Sequence, residues 1–173
     1  MNNSLNITKI DQPTQDKIKL LHPKVRDEVF NLVNEANSKL KSNMQIRIVQ
    51  GLRTIAEQDA LYAQGRTTAG KKVTNAKGGS SIHNYGLAID FCLLIDGKTI
   101  SWDSSKDFDS DNTADWLEVV QVFVKAGWQW GGNWRTFKDL PHVEKTFGHT
   151  WKTLMDKYNK NDFITGTQYV SLG

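Results

Sequence analysis

Between residues 23 and 40 the apolar positions recur at helical spacing. Val25, Val29, Leu32, Val33, Ala36 and Leu40 form one stripe, opened by Pro23, and predict a helix reaching about Lys41. The period then shortens to two. Ile46 and Ile48 alternate with Arg47 and Val49, which predicts a strand ending at Gly51. Glu57 to Gln64 reads as a short helix stopped by Gly65. Leu87 to Ile95 reads as a buried strand, with Leu87, Ile89, Phe91, Leu93 and Ile95 on one face and Ala88, Asp90 and Cys92 on the other. Asp96-Gly97 makes a turn. Trp116 to Ala126 is an amphipathic helix ended by Gly127, Asp139 to Glu144 a loop entering a strand, and Trp151 to Tyr158 a last helix before an extended end. Residues 1–20 are expected to be a loosely packed lead-in. No repeat and no linker divides the chain, and the separated helices and strands predict one small α+β domain.

Composition narrows the class. The chain has 173 residues, 38% of them hydrophobic and 10% aromatic, enough for a packed core. The net charge of +3 suits an anionic polymer but is too small to argue nucleic acid, and no Lys/Arg cluster appears. No apolar run approaches the roughly 20 residues of a membrane span. Met1 to Gln15 is polar and lacks a signal core. A single cysteine, Cys92, excludes an intramolecular disulfide. It reads as a buried inert thiol or as an added metal ligand.

The chemistry concentrates in two segments. Ser81-Ile82-His83-Asn84-Tyr85-Gly86-Leu87-Ala88-Ile89-Asp90 offers an imidazole and a carboxylate, and Asp139-Leu140-Pro141-His142 offers a second imidazole with a spare carboxylate three residues earlier. His83, Asp90 and His142 make a sound zinc set. Three protein ligands leave a fourth position for water, the arrangement of catalytic rather than structural zinc. Asp90 lies on a core strand among small residues, where an unpaired charge is costly. Asp139 has two readings: a general base, or a carboxylate orienting an imidazole. Arg53 is either a surface arginine or a fixed charge for a developing oxyanion. Gln58, Ser81 and Trp134 are candidate substrate contacts. Trp128, Trp130 and Trp134 read as core and cleft wall together. Residues 65–81, rich in Gly, Lys, Thr and Ser, form a long loop just before His83.

A second pattern lies in the acidic loop. Counting Asp107 as one, Asp109, Asp111, Asp115 and Glu118 stand at three, five, nine and twelve, the side-chain positions of an EF-hand calcium loop. Asn112 replaces the glycine at six, and no entering helix is evident. The alternative is a solvated loop whose Thr113 or Asp115 caps the next helix.

The motifs Gly51-Leu52-Arg53-Thr54, Glu57-Gln58, Leu61 to Thr67, Ser81-x-His83-x-x-Gly86-x-Ala88-x-Asp90, Trp130-Gly131-Gly132-x-Trp134 and Asp139-x-Pro141-His142, in this order, resemble the VanY-like peptidoglycan peptidases. Their L-alanyl-D-glutamate endopeptidase branch, with phage endolysins and CwlK-like enzymes, is the most similar. The resemblance spans about residues 20 to 147. It implies a central antiparallel sheet flanked by helices, shared with the hedgehog domain and D-Ala-D-Ala metallopeptidases. It also implies one zinc per chain on His83, Asp90 and His142, with Asp139 as general base and Arg53 as carbonyl clamp. The implied reaction is hydrolysis of the L-Ala–D-Glu bond of murein stem peptides. Val143 stands where relatives often carry an aromatic residue, an expected change in pocket shape.

The resemblance divides the chain into a lead-in (1–20), a zinc peptidase core (21–147) and an extension packed on the same domain (148–173). The rival readings are a D,D-carboxypeptidase or dipeptidase on the same scaffold and an inactive hedgehog-like binding module. The expected partner is peptidoglycan, with no nucleic acid or membrane insertion, and the expected state is a monomer. The place of action is the periplasm or cell wall, reached by lysis, by a secretion machine or through a leader since removed.

Overall fold

The computed structural model describes residues 10–173, so the first nine positions of the expected lead-in lie outside the described residues. The chain runs α1 (Gln12–Lys19), α2 (Pro23–Lys39), β1 (Met44–Gln50), α3 (Ile55–Ala63), β2 (Ala88–Ile95), β3 (Thr99–Ser101), α4 (Asp115–Lys125), β4 (Gln129–Trp130), β5 (His142–Glu144) and α5 (Trp151–Asn159). Single 3-10 turns occupy Ile82–Tyr85 and Gly131–Asn133.

The strands form one antiparallel sheet in the order β1-β2-β5-β4. β2 is its spine. β1 pairs along one edge; on the other, β5 pairs residues 88–90 and β3 pairs residues 93–95. Alternation along β2 and the residue before it sends Leu87, Ile89, Phe91 and Leu93 into the core with Ile46, Ile48 and Val143, where α2 and α4 supply Val29, Val33, Val119 and Phe123. Asp90, His142 and Glu144 project from the opposite face. Burying one large aliphatic or aromatic side chain here stabilises by roughly 1.5–3 kcal/mol.

The expected lead-in is a correction: residues 10–20 are packed, not loose. Ile10, Thr14 and Ile18 are buried, and Asp11 both caps α1 and pairs with Arg47 at 2.6 Å. α1 also finishes the outer edge of β1. The Ile48 amide donates to Thr14 Oγ1, and the Ile46 amide to Asn37 Oδ1 of α2, so two edge N–H groups that would otherwise lack a partner are satisfied.

The extension packs on the same body. Leu154 and Val170 are buried, and the His22 ring meets the Val170 carbonyl at 2.9 Å. Val143 is fully buried on the core face, so its identity does not shape the cleft, contrary to the sequence expectation. Among the described residues no helix is long and apolar enough to cross a membrane.

Candidate active site

The sheet register brings the site together. Asp90 on β2 is the direct partner of His142 on β5, so two residues fifty-two apart in sequence share one rung. On the other side β1 has an irregularity between Ile48 and Gln50, opposite Asp90, and the Gly51 carbonyl follows it. That carbonyl receives the third residue. His83, on the 3-10 turn before β2, places Nδ1 2.8 Å from Gly51 O.

The Gly51 contact fixes the His83 tautomer. A carbonyl only accepts, so His83 Nδ1 carries the hydrogen and its Nε2 turns a lone pair toward Asp90 Oδ1, 3.1 Å away. His142 is turned the other way. Its Nε2 meets Glu144 Oε2 at 2.9 Å, which leaves Nδ1 facing the same Asp90 oxygen at 3.0 Å. With the His142 proton on Nε2 toward Glu144, three acceptor atoms face one another, and all lie within 4.8 Å. That arrangement is repulsive unless positive charge lies among them.

The electrostatics express the same demand. Burial opposes charge on His142, yet hydrogen bonds to Asp90 and Glu144 outweigh it and push its pKa up to about 9. Burial also opposes charge on Asp90, and the two histidines more than reverse this, holding the carboxyl well below its ordinary range. The donor set suits zinc. Tetrahedral Zn–N bonds near 2.05 Å require ligand atoms about 3.3 Å apart, close to the spacing found. Glu144 was not singled out in the sequence. Its signal was a carboxylate two residues after His142, on the same strand face.

Cys92 is fully buried, burial lifts its thiol to about 11, and it is not among the converging donors. The inert reading therefore holds over the added ligand.

A cleft of about 840 Å³ opens over these residues, and Arg53, Asp139, Trp134 and Ser81 line it with them. Asp139 is lifted above the usual carboxylate value by burial and then by Asp90, while His142, His83 and Arg53 pull the other way. Its loop is held tightly. The Leu140 carbonyl accepts from both Trp116 Nε1 (3.2 Å) and Trp130 Nε1 (2.8 Å). The Asp139 amide donates to Gly131 O, and a Cβ on Gly131 would lie 2.5 Å from Asp139 O, so only glycine allows this approach. Trp130 thus braces the loop, Trp128 is core, and Trp134 stacks obliquely near His142 with centroids 5.1 Å apart.

Arg53 follows β1 and donates from Nη1 to Gln58 Oε1 at 2.8 Å, while its Nε has no partner among the described residues. Gln58 is fully buried, and its amide nitrogen donates to Ala76 O at 2.8 Å. It therefore steers Arg53 and ties the 65–81 loop rather than facing the cleft. Asn84, also unassigned from sequence, ties the His83 turn to the Arg53 segment and to the 65–81 loop: its Nδ2 donates to Arg53 O, and its Oδ1 accepts from the Gly79 amide.

A family profile described as D-alanyl-D-alanine carboxypeptidase matches residues 74–145. The chain is 46% identical over 124 residues to the peptidoglycan L-alanyl-D-glutamate endopeptidase CwlK of Bacillus subtilis, covering 72% of each chain. The chain belongs to this peptidase family. All three converging donors and Asp139 fall inside the matched segment, whereas Arg53 precedes it. A more distant member, the L-alanyl-D-glutamate peptidase of Listeria phage A118, is 27% identical over 103 residues, which are 60% of this chain and 31% of that one. The family fold is also seen in the crystal structure of Serratia marcescens L-Ala D-Glu endopeptidase ChiX. The match has a TM-score of 0.52 at 21% identity and covers 84% of this chain and 95% of that one. The chain is accordingly a metallopeptidase with a mixed helical and antiparallel-sheet fold.

Proposed function

We propose that this chain is a zinc-dependent peptidoglycan endopeptidase that hydrolyses the L-Ala–D-Glu bond of the stem peptide at the cell wall. The observation that carries the chemistry is the convergence of three acceptor atoms in a cleft that Asp139 and Arg53 also line. The bond assignment rests on the similarity to CwlK.

His83 Nε2, Asp90 Oδ1 and His142 Nδ1 would hold the metal, with Gly51 O and Glu144 fixing the two rings. Zinc, when bound, supplies Lewis acidity that polarises the scissile carbonyl and acidifies a water. The chain's own residues do the rest. The Asp139 carboxylate takes the proton of the attacking water and returns it to the departing amine of D-Glu. A carboxyl lifted above its ordinary value suits a group that must both accept and donate. Arg53 presents fixed positive charge to the carbonyl oxygen as it becomes an oxyanion, and Gln58 holds it ready. Trp134 and Ser81 form walls against which a peptide can lie. Asp139 and Arg53 also argue against an inactive binding module, which needs neither.

The test is mass spectrometry of purified muropeptides digested by zinc-loaded protein, with a metal-stripped control. Peptides beginning at D-Glu, with L-Ala left on the muramic acid, are the expected products. Loss of a terminal D-Ala alone would move the enzyme to the carboxypeptidase reading.

A further inference from the structure

The acidic segment before α4 is not used by the peptidase chemistry. It carries five carboxylates in twelve residues. Oxygens of Asp107, Asp109 and Asp111 lie within 4.8 Å of one another, as do those of Asp109, Asp115 and Glu118, so Asp109 joins two triads. None of the five takes part in an ion pair among the described residues.

Two atoms show that this is more than a solvated acidic loop. Asp115 has no exposed surface; its Oδ2 accepts from the Phe108 amide at 2.7 Å, but its Oδ1 has no partner among the described residues. Glu118, three residues further along α4, has a buried Oε2 that is likewise without a partner among the described residues. Buried carboxylate oxygens left unsatisfied are costly and rare. Helix capping does not account for them. The residue before α4 is Ala114, which offers no side-chain cap, and the Asp115 amide is spent on Lys106 O. Burial, then Asp111, Asp109 and Asp115, push Glu118 up to about 6, with Lys39 of α2 as the opposing charge.

The loop is already wound for an ion. Asp107 accepts from the Ser110 and Asn112 amides at 2.6 and 2.9 Å, and Asn112 takes the left-handed conformation at φ 75° that an EF-hand loop requires at its sixth position. The donors are all oxygens and include no imidazole or thiolate. This selects a hard cation over zinc, and a flexible loop with many carboxylates favours calcium over the smaller octahedral magnesium.

We propose that residues 107–118 bind one calcium ion through Asp109, Asp115 and Glu118, with Asp107 and Asp111 completing the shell. The site stands apart from the peptidase chemistry and does not depend on it.

The test is calorimetric titration and thermal melting of the zinc-loaded protein in chelator-free buffer, with calcium chloride and, separately, magnesium chloride. The expected dissociation constant for calcium lies at about 10⁻⁵–10⁻³ M. Saturating calcium is expected to raise Tm by about 5 °C, with a much smaller shift from equal magnesium. Asp115 is buried and its replacement threatens folding, so the variants are Asp109→Asn and Glu118→Gln. Each is expected to fold, to keep peptidase activity and to weaken calcium binding at least about tenfold. No binding heat and no Tm shift at about 10 mM calcium would overturn the proposal. So would equal responses to magnesium and calcium, or an undiminished calcium response in the double variant.

Discussion

The cleft and the acidic loop both bring oxygen or nitrogen acceptors within 4.8 Å of one another, yet they are built differently. In the cleft each converging donor is set by the sheet or by a backbone carbonyl. Asp90 and His142 share a rung, and Gly51 O orients His83. Two of the three donors are imidazole nitrogens, and rigid mixed-donor geometry favours zinc and chemistry. The acidic loop offers carboxylates alone, on a turn that leads into a helix, and such a shell can adapt to a larger ion that only stabilises. Trp116 connects the two regions. It follows Asp115 in sequence and donates to the Leu140 carbonyl, next to Asp139.

This contrast can be broken by experiment. The largest expected effect is His142→Ala, which should reduce peptide hydrolysis to the level of metal-stripped protein and remove bound zinc, while the calcium response persists. Loss of both metals together would show that the two regions are not separate. Asp139→Asn should retain zinc and lower kcat by about 10²–10⁴-fold. A zinc-loaded variant with near-normal turnover would remove Asp139 from its role as base. Arg53→Ala should cost about 10²–10³-fold in kcat, again with zinc retained, as measured by metal content beside kinetics. Glu144→Gln keeps the shape but loses the anion that orients His142. A metal-competition assay should find zinc affinity about 10–100-fold weaker. An unchanged affinity would make that hydrogen bond incidental.

The smallest effect concerns pH. Glu118 is raised in the folded chain from 4.5 to about 6, so its contribution to stability is fully present below 4.5 and lost as pH rises through about 6. Calcium-free protein should therefore gain Tm as pH falls across that window relative to Glu118→Gln. The group faces Asp109, Asp111, Asp115 and Lys39.

Much of this was legible in the sequence because the signals were strong and local. Pro23 with its six-residue stripe gave α2, the alternation from Leu87 gave β2, and the ligand motifs lie in short segments that carry their own spacing. Longer-range features were less visible. The rung between Asp90 and His142 depends on β5 entering the sheet beside β2 instead of next to β4 alone, and no local pattern encodes that order. Glu144 was passed over because a lone carboxylate on a short strand is usually solvated; only the His142 ring, turned by the register, gives it a task. α1 was missed because its apolar signal is thin. Ile18 and Thr14 face inward, while the other positions are polar, and the helix is held by tertiary contacts to β1. β3 is three residues long and mostly exposed, stabilised by pairing with β2 rather than by burial.

The most direct measurement is anomalous diffraction at the zinc edge from crystals of zinc-loaded protein also soaked in calcium. The account predicts one zinc peak bounded by His83 Nε2, Asp90 Oδ1 and His142 Nδ1, and none in the 107–118 loop. A zinc peak elsewhere, or none between these three atoms, would contradict it.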